Sequence, residues 1–304
     1  MRLHPRLLPL LALAAVLLAC HRRPAADPAY LDDLEKARVR RVAGLTKADG
    51  WLSVVGLDWL KPGENPFGTD PSAAIVLTAP GIPSRAGSFD LRPDGTVVVR
   101  AEPGAEVTVN GAAPSASPLA TDHSRKADVV TVGRLRISII QRGDQLAARV
   151  RDPESEARKS FKGLTYFPVD PGLRVSGTFE PYPALREVEV PTAHGPAQKM
   201  LAAGLVRFDL GGKALALEPF VEGPDDDSFF FVFRDRTAGT ESYGAGRFLD
   251  VPAPKKGERA VVLDFNRAVN PPCAFTPFAT CPLPVPQNEL PVRIEAGERT
   301  PAGH

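Results

Sequence analysis

Arg234, Asp235, Tyr243, Arg247, Asp264, Asn266, Arg267, Asn270 and Cys273 fall at the ends of apolar runs or between them, not at the alternating positions of an exposed strand face. Loops held by a rigid sheet are where binding and catalytic groups are usually assembled. Guanidinium groups beside a tyrosine hydroxyl and carboxamides suit an anionic or carbonyl-bearing ligand, because a guanidinium fork meets a carboxylate or phosphate with two parallel hydrogen bonds. The same residues admit an internal network, in which Arg234 and Arg247 pair with Asp235 and Asp264 to tie loop to sheet. A hydrolase of an envelope ester or amide is the competing chemistry, with Cys273 or a carboxylate such as Asp264 as the reacting group.

Cys273 and Cys281 sit in the stretch Asp264–Asn288, where proline on both sides of the intervening residues forbids a regular helix or central strand. Two thiols in an oxidising compartment invite one disulfide, and closing so short a loop contributes roughly 2 to 3 kcal/mol in the chain-entropy model. The alternative is a reactive thiol, Cys273 near Arg267 or Arg234, whose charge would lower its pKa. No phosphate-cradling glycine loop or nucleophile–base motif occurs, so no cofactor is expected. His123 and His194 stand alone, which leaves neither a triad nor a zinc site, and Asp225–Asp227 read as a solvated turn rather than a calcium loop.

The compartment is read from the first residues. Arg2 and Arg6 precede the apolar run Leu7 to Ala19, too short for a comfortable span and suited to a signal peptide. The run closes on Leu17-Leu-Ala-Cys20, which resembles a bacterial lipobox and implies a lipid on Cys20 after cleavage. Several acyl chains at about 0.8 kcal/mol per buried methylene make such an anchor effectively permanent. The expectation is a membrane-anchored protein of the cell envelope, facing the periplasm or the exterior. The formal net charge is only +1, so nucleic acid is a poor partner.

The chain that positions these residues is predicted to be all-β: residues 1–20 a lipoprotein signal peptide, 21–50 a tether and helix, 51–155 a β-sandwich, and 156–304 a second sandwich or small barrel. Proline and glycine, 32 and 26 in number, are spread along the chain as turns between short strands. Asp27-Pro28 supplies an N-cap and a first-turn proline, and Leu31, Leu34, Val42 and Leu45 share a helix face expected to dock on the first domain. Arg38, Arg40 and Arg41 are expected on its solvated side. Strands are expected over 52–55, 75–77, 88–91, 96–100, 107–109, 129–132, 135–141 and 146–151, then over 173–179, 186–190, 204–210, 213–218, 228–234, 247–251, 260–264 and 292–295. Trp51 and Trp59 are expected in the first core, where large aromatics supply volume.

Two resemblances follow. Gly68-Thr-Asp-Pro-Ser-Ala-Ala-Ile-Val-Leu77, Ser84-Arg85 and Val107-Thr-Val-Asn-Gly111 are similar in order to the forkhead-associated (FHA) sandwich, whose loops recognise phosphothreonine. Thr69 and Gly87 stand where that family carries its arginine and histidine, so the likeness implies scaffold and not phosphopeptide binding. Gly56-Leu-Asp-Trp-Leu-Lys-Pro-Gly-Glu-Asn65, Gly163-Leu-Thr-Tyr-Phe-Pro168, Phe233-Arg-Asp-Arg-Thr237, Ser242-Tyr-Gly-Ala-Gly-Arg-Phe-Leu249 and Pro291-Val-Arg-Ile-Glu-Ala-Gly-Glu298 resemble the bacterial domain of unknown function 1684 family. That resemblance brings no reaction or ligand with it. From the residues, the expected role is binding of a small anionic or envelope-derived ligand in the C-terminal domain, with the hydrolase and a structural scaffold as alternatives.

Overall fold

The computed structural model describes residues 26–301; Cys20 and its lipobox lie outside them. Helix α1 (Pro28–Thr46) begins where the sequence predicts, with the Asp27 carboxylate accepting from the Ala29 N–H at 2.9 Å. It then runs into nine strands, β1 (Val54–Trp59), β2 (Gly63–Gly68), β3 (Ile75–Val76), β4 (Gly87–Leu91), β5 (Val97–Ala101), β6 (Val107–Val109), β7 (Val130–Val132), β8 (Leu135–Arg142) and β9 (Gln145–Arg151). These form two sheets, β1-β9-β8-β7-β6 and β3-β2-β4-β5. Phe67, Phe89, Ile137 and Val99 fill the space between them, with the two rings 4.8 Å apart. Strand β2 escapes the sequence reading because Gly63, Pro66 and Gly68 look like loop; its pairing comes from β4 and β3, which the local sequence cannot specify.

The second half contains β10 (Arg174–Val190), β11 (Gln198–Leu210), β12 (Lys213–Leu217), β13 (Phe220–Val221), β14 (Ser228–Phe233), β15 (Arg247–Pro252) and β16 (Ala260–Asp264). They pair in the order β15-β14-β13-β11-β10-β16, with β12 on β11, and the sheet curls until β15 approaches β16 as a nearly closed barrel. The two strands expected at 173–179 and 186–190 are one strand interrupted by a bulge between Pro181 and Arg186, where prolines interrupt the ladder with β11. No strand forms over 292–295. That segment is fastened by a side chain instead, the Ile294 N–H donating to Asp235 Oδ2 at 2.7 Å.

Three expectations about packing are corrected. Helix α1 docks chiefly on the second half and not on the first: Tyr30 Oη donates to Asp264 Oδ1 at 2.9 Å, and Arg41 bonds Glu298 Oε1 at 3.0 Å and the Asn270 carbonyl at 2.6 Å. Consequently Arg38 and Arg41 do not lie on a solvated face; Arg38 lies 4.1 Å over the Tyr166 ring, and only Arg40 is exposed. Neither tryptophan belongs to the first core. Trp51 is half-buried against the Cys273–Cys281 loop, and Trp59 packs so closely on Gly195 that a β-carbon there would sit 2.4 Å from the ring. The branched aliphatics and two phenylalanines already fill the sandwich, so the tryptophans are left to join its edge to the second half.

Candidate functional site

The structure divides the predicted site residues among neighbouring groups instead of gathering them around one opening. Arg247, at the start of β15, is 0 % exposed. Its Nη2 donates to Asp235 Oδ1 at 3.0 Å and to the Ile294 carbonyl at 2.9 Å, and Nη1 donates to the Ala296 carbonyl. Asp235 also accepts from Thr237, whose hydroxyl lies 2.8 Å from Ser242 Oγ. Burial depresses the Arg247 guanidinium pKa, and the Asp235 carboxylate opposes that shift. Arg234, one residue before Asp235, points outward and pairs with Glu289.

At the end of β16, Asp264 caps the turn 265–267 through the Asn266 N–H and accepts from Tyr30 Oη and, at 3.2 Å, from Arg267 Nε. Arg267 also reaches Asp33 of α1. Buried Asn266 exchanges two hydrogen bonds with the Asp170 backbone, at 2.9 and 3.0 Å. These residues splice the helix and the 163–170 segment to the sheet. Burial first, then the Asp264 charge, pushes the Tyr30 hydroxyl up to about 12.

Asn270 belongs to a centre the sequence reading missed, built around Glu298, which is 0 % exposed. Glu298 accepts from Arg41 Nε and, at 2.7 Å, from the Asn270 N–H, and its backbone bridges to Tyr166. Around it, Arg38 Nε and Nη2, Tyr166 Oη, Arg247 Nε and Asn270 Oδ1 are buried without a hydrogen-bond partner among the described residues. Tyr166 and Glu298 stand inside motifs the sequence displays. What it hides is that Arg38 and Arg41, more than a hundred residues earlier, close over them.

Tyr243 and the cysteines form a further group. Tyr243 Oη donates to the Cys273 carbonyl at 2.9 Å, the Cys273 N–H points at Cys281 Sγ at 3.2 Å, and both thiols are free and buried against Ala279. The hydrogen bond between the sulfurs pulls the Cys273 pKa down and pushes that of Cys281 up, burial adding to the latter. Given an oxidant such as a protein disulfide, the pair can close to a disulfide with release of two protons and two electrons. We predict that, in protein taken from an oxidising envelope, a maleimide labels neither cysteine before reduction and both after it. Rapid labelling of Cys273 in untreated protein would instead reveal a reactive thiol.

Arginines also gather in the first half, where no site was expected. The register of β8 and β9 sets Arg136 opposite Arg151 and Ser138 opposite Arg149. The sequence hint is the alternation Arg149-Val150-Arg151, which reads as an ordinary solvated face until burial is known. Larger openings, of about 570 and 630 Å³, are bordered by Met200, Phe220 and Phe230 and by His123, Arg142 and Lys199. Among the described residues no group of three or more His, Cys, Asp or Glu side chains could hold a metal ion.

No curated protein matches the chain. A solved structure that it resembles is the solution NMR structure of the uncharacterized protein from gene locus rrnAC0354 of Haloarcula marismortui, 34% identical, over 48% of this chain and 81% of that one, with a TM-score of 0.42. Residues 159–299, which hold the Arg247–Asp235 pair, Asn270 and Glu298, match the model of the family described as Protein of unknown function (DUF1684).

Proposed function

We propose that this protein is a lipid-anchored component of the cell envelope that binds a small anionic ligand and does not turn it over. One observation supports binding: the chain buries guanidinium donors of Arg38, Arg149 and Arg151 with no acceptor among the described residues. Buried donors are costly to leave unpaired, and an anion is the partner that guanidinium forks fit. The candidate reacting groups are engaged elsewhere. Asp264 is saturated by Tyr30, Asn266 and Arg267, and Cys273 faces Cys281 and Tyr243 rather than a histidine base. The hydrolase and scaffold readings therefore stand behind binding.

The anchor rests on the lipobox cysteine, Cys20; among the described residues no helix is long and apolar enough to cross a membrane. Cys20→Ser is expected to move the protein from the membrane to the soluble fraction, and retention after a high-salt wash would refute the anchor. Mass spectrometry of small molecules released from the purified protein should find an organic anion in stoichiometric amount. Turnover of ester or amide substrates that is lost in Cys273→Ser or Asp264→Asn would displace binding in favour of catalysis.

A further inference from the structure

The outward face of β8 and β9 concentrates positive charge in a way the fold alone does not require. Arg136 and Arg151 are direct cross-strand partners, an arrangement in which like charges repel. Arg149, one step along the same face, is only 4 % exposed. Its guanidinium lies 5.0 Å over the Trp51 ring, while Nε and Nη2 are buried with no hydrogen-bond partner among the described residues. Arg151 donates Nη1 to Ser138 Oγ at 3.1 Å and leaves its own buried Nε unpartnered. Both arginines border a cavity of about 460 Å³, within the range that small-molecule sites occupy.

Burial, and then the charges of Arg151 and Arg142, bring the Arg149 pKa down to about 10, so the group is still cationic at neutral pH. A buried cation without a counter-ion is expensive, and proteins ordinarily supply one. Beside this sheet, exposed Arg134 shows the pairing such donors make, giving Nε and Nη2 to the two carboxylate oxygens of Asp152 at 2.9 and 2.8 Å. Arg149 offers the same edge of its guanidinium, unmatched. Nearby Asp122 does not match it, being taken by Arg142 Nη1 and the Gln141 N–H, both at 2.8 Å.

Charge and shape narrow the ligand. Arg136, Arg149 and Arg151 line it with Asp49, and with Asp122, whose charge Arg142 already matches, so the lining keeps an excess of two positive charges. An anion meets that excess, and the two oxygens of a carboxylate match the two donors on one edge of a guanidinium. Val129 and Ile140 add an apolar wall for the body of a ligand.

We propose that this cavity binds a small organic monocarboxylate, held by the guanidinium groups of Arg149 and Arg151 that border it. The assignment rests on the anion-binding reading above and gives it a place and a ligand class. Isothermal titration of the full-length protein in detergent with acetate, butyrate, benzoate and inorganic phosphate tests it. Saturable one-to-one binding of butyrate or benzoate is expected, weakened at least tenfold in Arg149→Lys, which keeps the charge and loses the fork. Arg151→Gln should weaken it at least threefold, and serves alone if Arg149→Lys does not fold by circular dichroism. Carboxylate binding unchanged in these variants would overturn the site while leaving an anion-binding protein. Tighter binding of phosphate than of any carboxylate would overturn the ligand class, and no saturable binding of any of the four would overturn both the site and the reading beneath it.

Discussion

Replacing Arg247 by alanine is expected to cost about 3 to 5 kcal/mol of stability, the range seen when one member of a buried ion pair is removed. The loss has a specific origin. Asp235 would keep the Ile294 N–H and Thr237 as donors but would be a buried carboxylate without its cation, while the Ile294 and Ala296 carbonyls would lose their guanidinium donors. Phe233 and Phe167, whose rings face the guanidinium at 5.3 and 5.8 Å, would border the space left behind. Arg247→Lys should recover little, because one ammonium cannot reach the carboxylate and both carbonyls in the plane the guanidinium uses. Urea unfolding followed by circular dichroism measures the effect. An unchanged midpoint in Arg247→Ala, together with loss of a co-purifying ligand, would move this arginine from the framework to the binding site.

Arg41→Ala should release helix α1 from the second half. Glu298 is fully buried and would be left with the Asn270 N–H as its remaining donor, and the Asn270 carbonyl would lose its partner as well. Charge-assisted hydrogen bonds and the unpaired carboxylate together put the cost at about 2 to 4 kcal/mol, below that of the Arg247 pair because Arg41 is partly solvated. The loss should be local. Hydrogen exchange of amides in residues 31–46 is expected to accelerate strongly while the strands of the first sandwich keep their protection. Glu298→Gln has one acceptor oxygen where the carboxylate uses one for Arg41 and the other for the Asn270 N–H, so it can satisfy only one of them and should lose part of the helix protection in the same place. Helix protection equal to that of the native protein in Arg41→Ala would mean that Tyr30–Asp264 and Arg267–Asp33 suffice to hold α1.

The features legible in the sequence are local ones. The helix start follows from Asp27 and Pro28, the strands β6 and β16 from unbroken alternation between clear turns, and the mostly β class from the spacing of proline and glycine. Each signal is carried by residues a few positions apart, where backbone geometry and side-chain period act directly. Arg247 and Asp235 admit either a ligand site or an internal network at that level, because both need the same residue types; the structure adds that the two side chains are buried and paired with each other.

The remaining features come from contacts between segments far apart in the chain. Which half receives α1 depends on Glu298 and Asp264, more than two hundred residues away, and β2 exists because β3 and β4 complete its ladder despite its glycines and proline. Arg149 gives the sharpest case. In the sequence it is an outward-facing arginine on a strand, and such a group normally meets water. Here Trp51 covers it and the neighbouring arginines repel it, so the same side chain becomes a buried cation with two unmatched donors. Periodicity reports which way a side chain points; whether solvent or protein waits there is set by chain segments that fold back from far away.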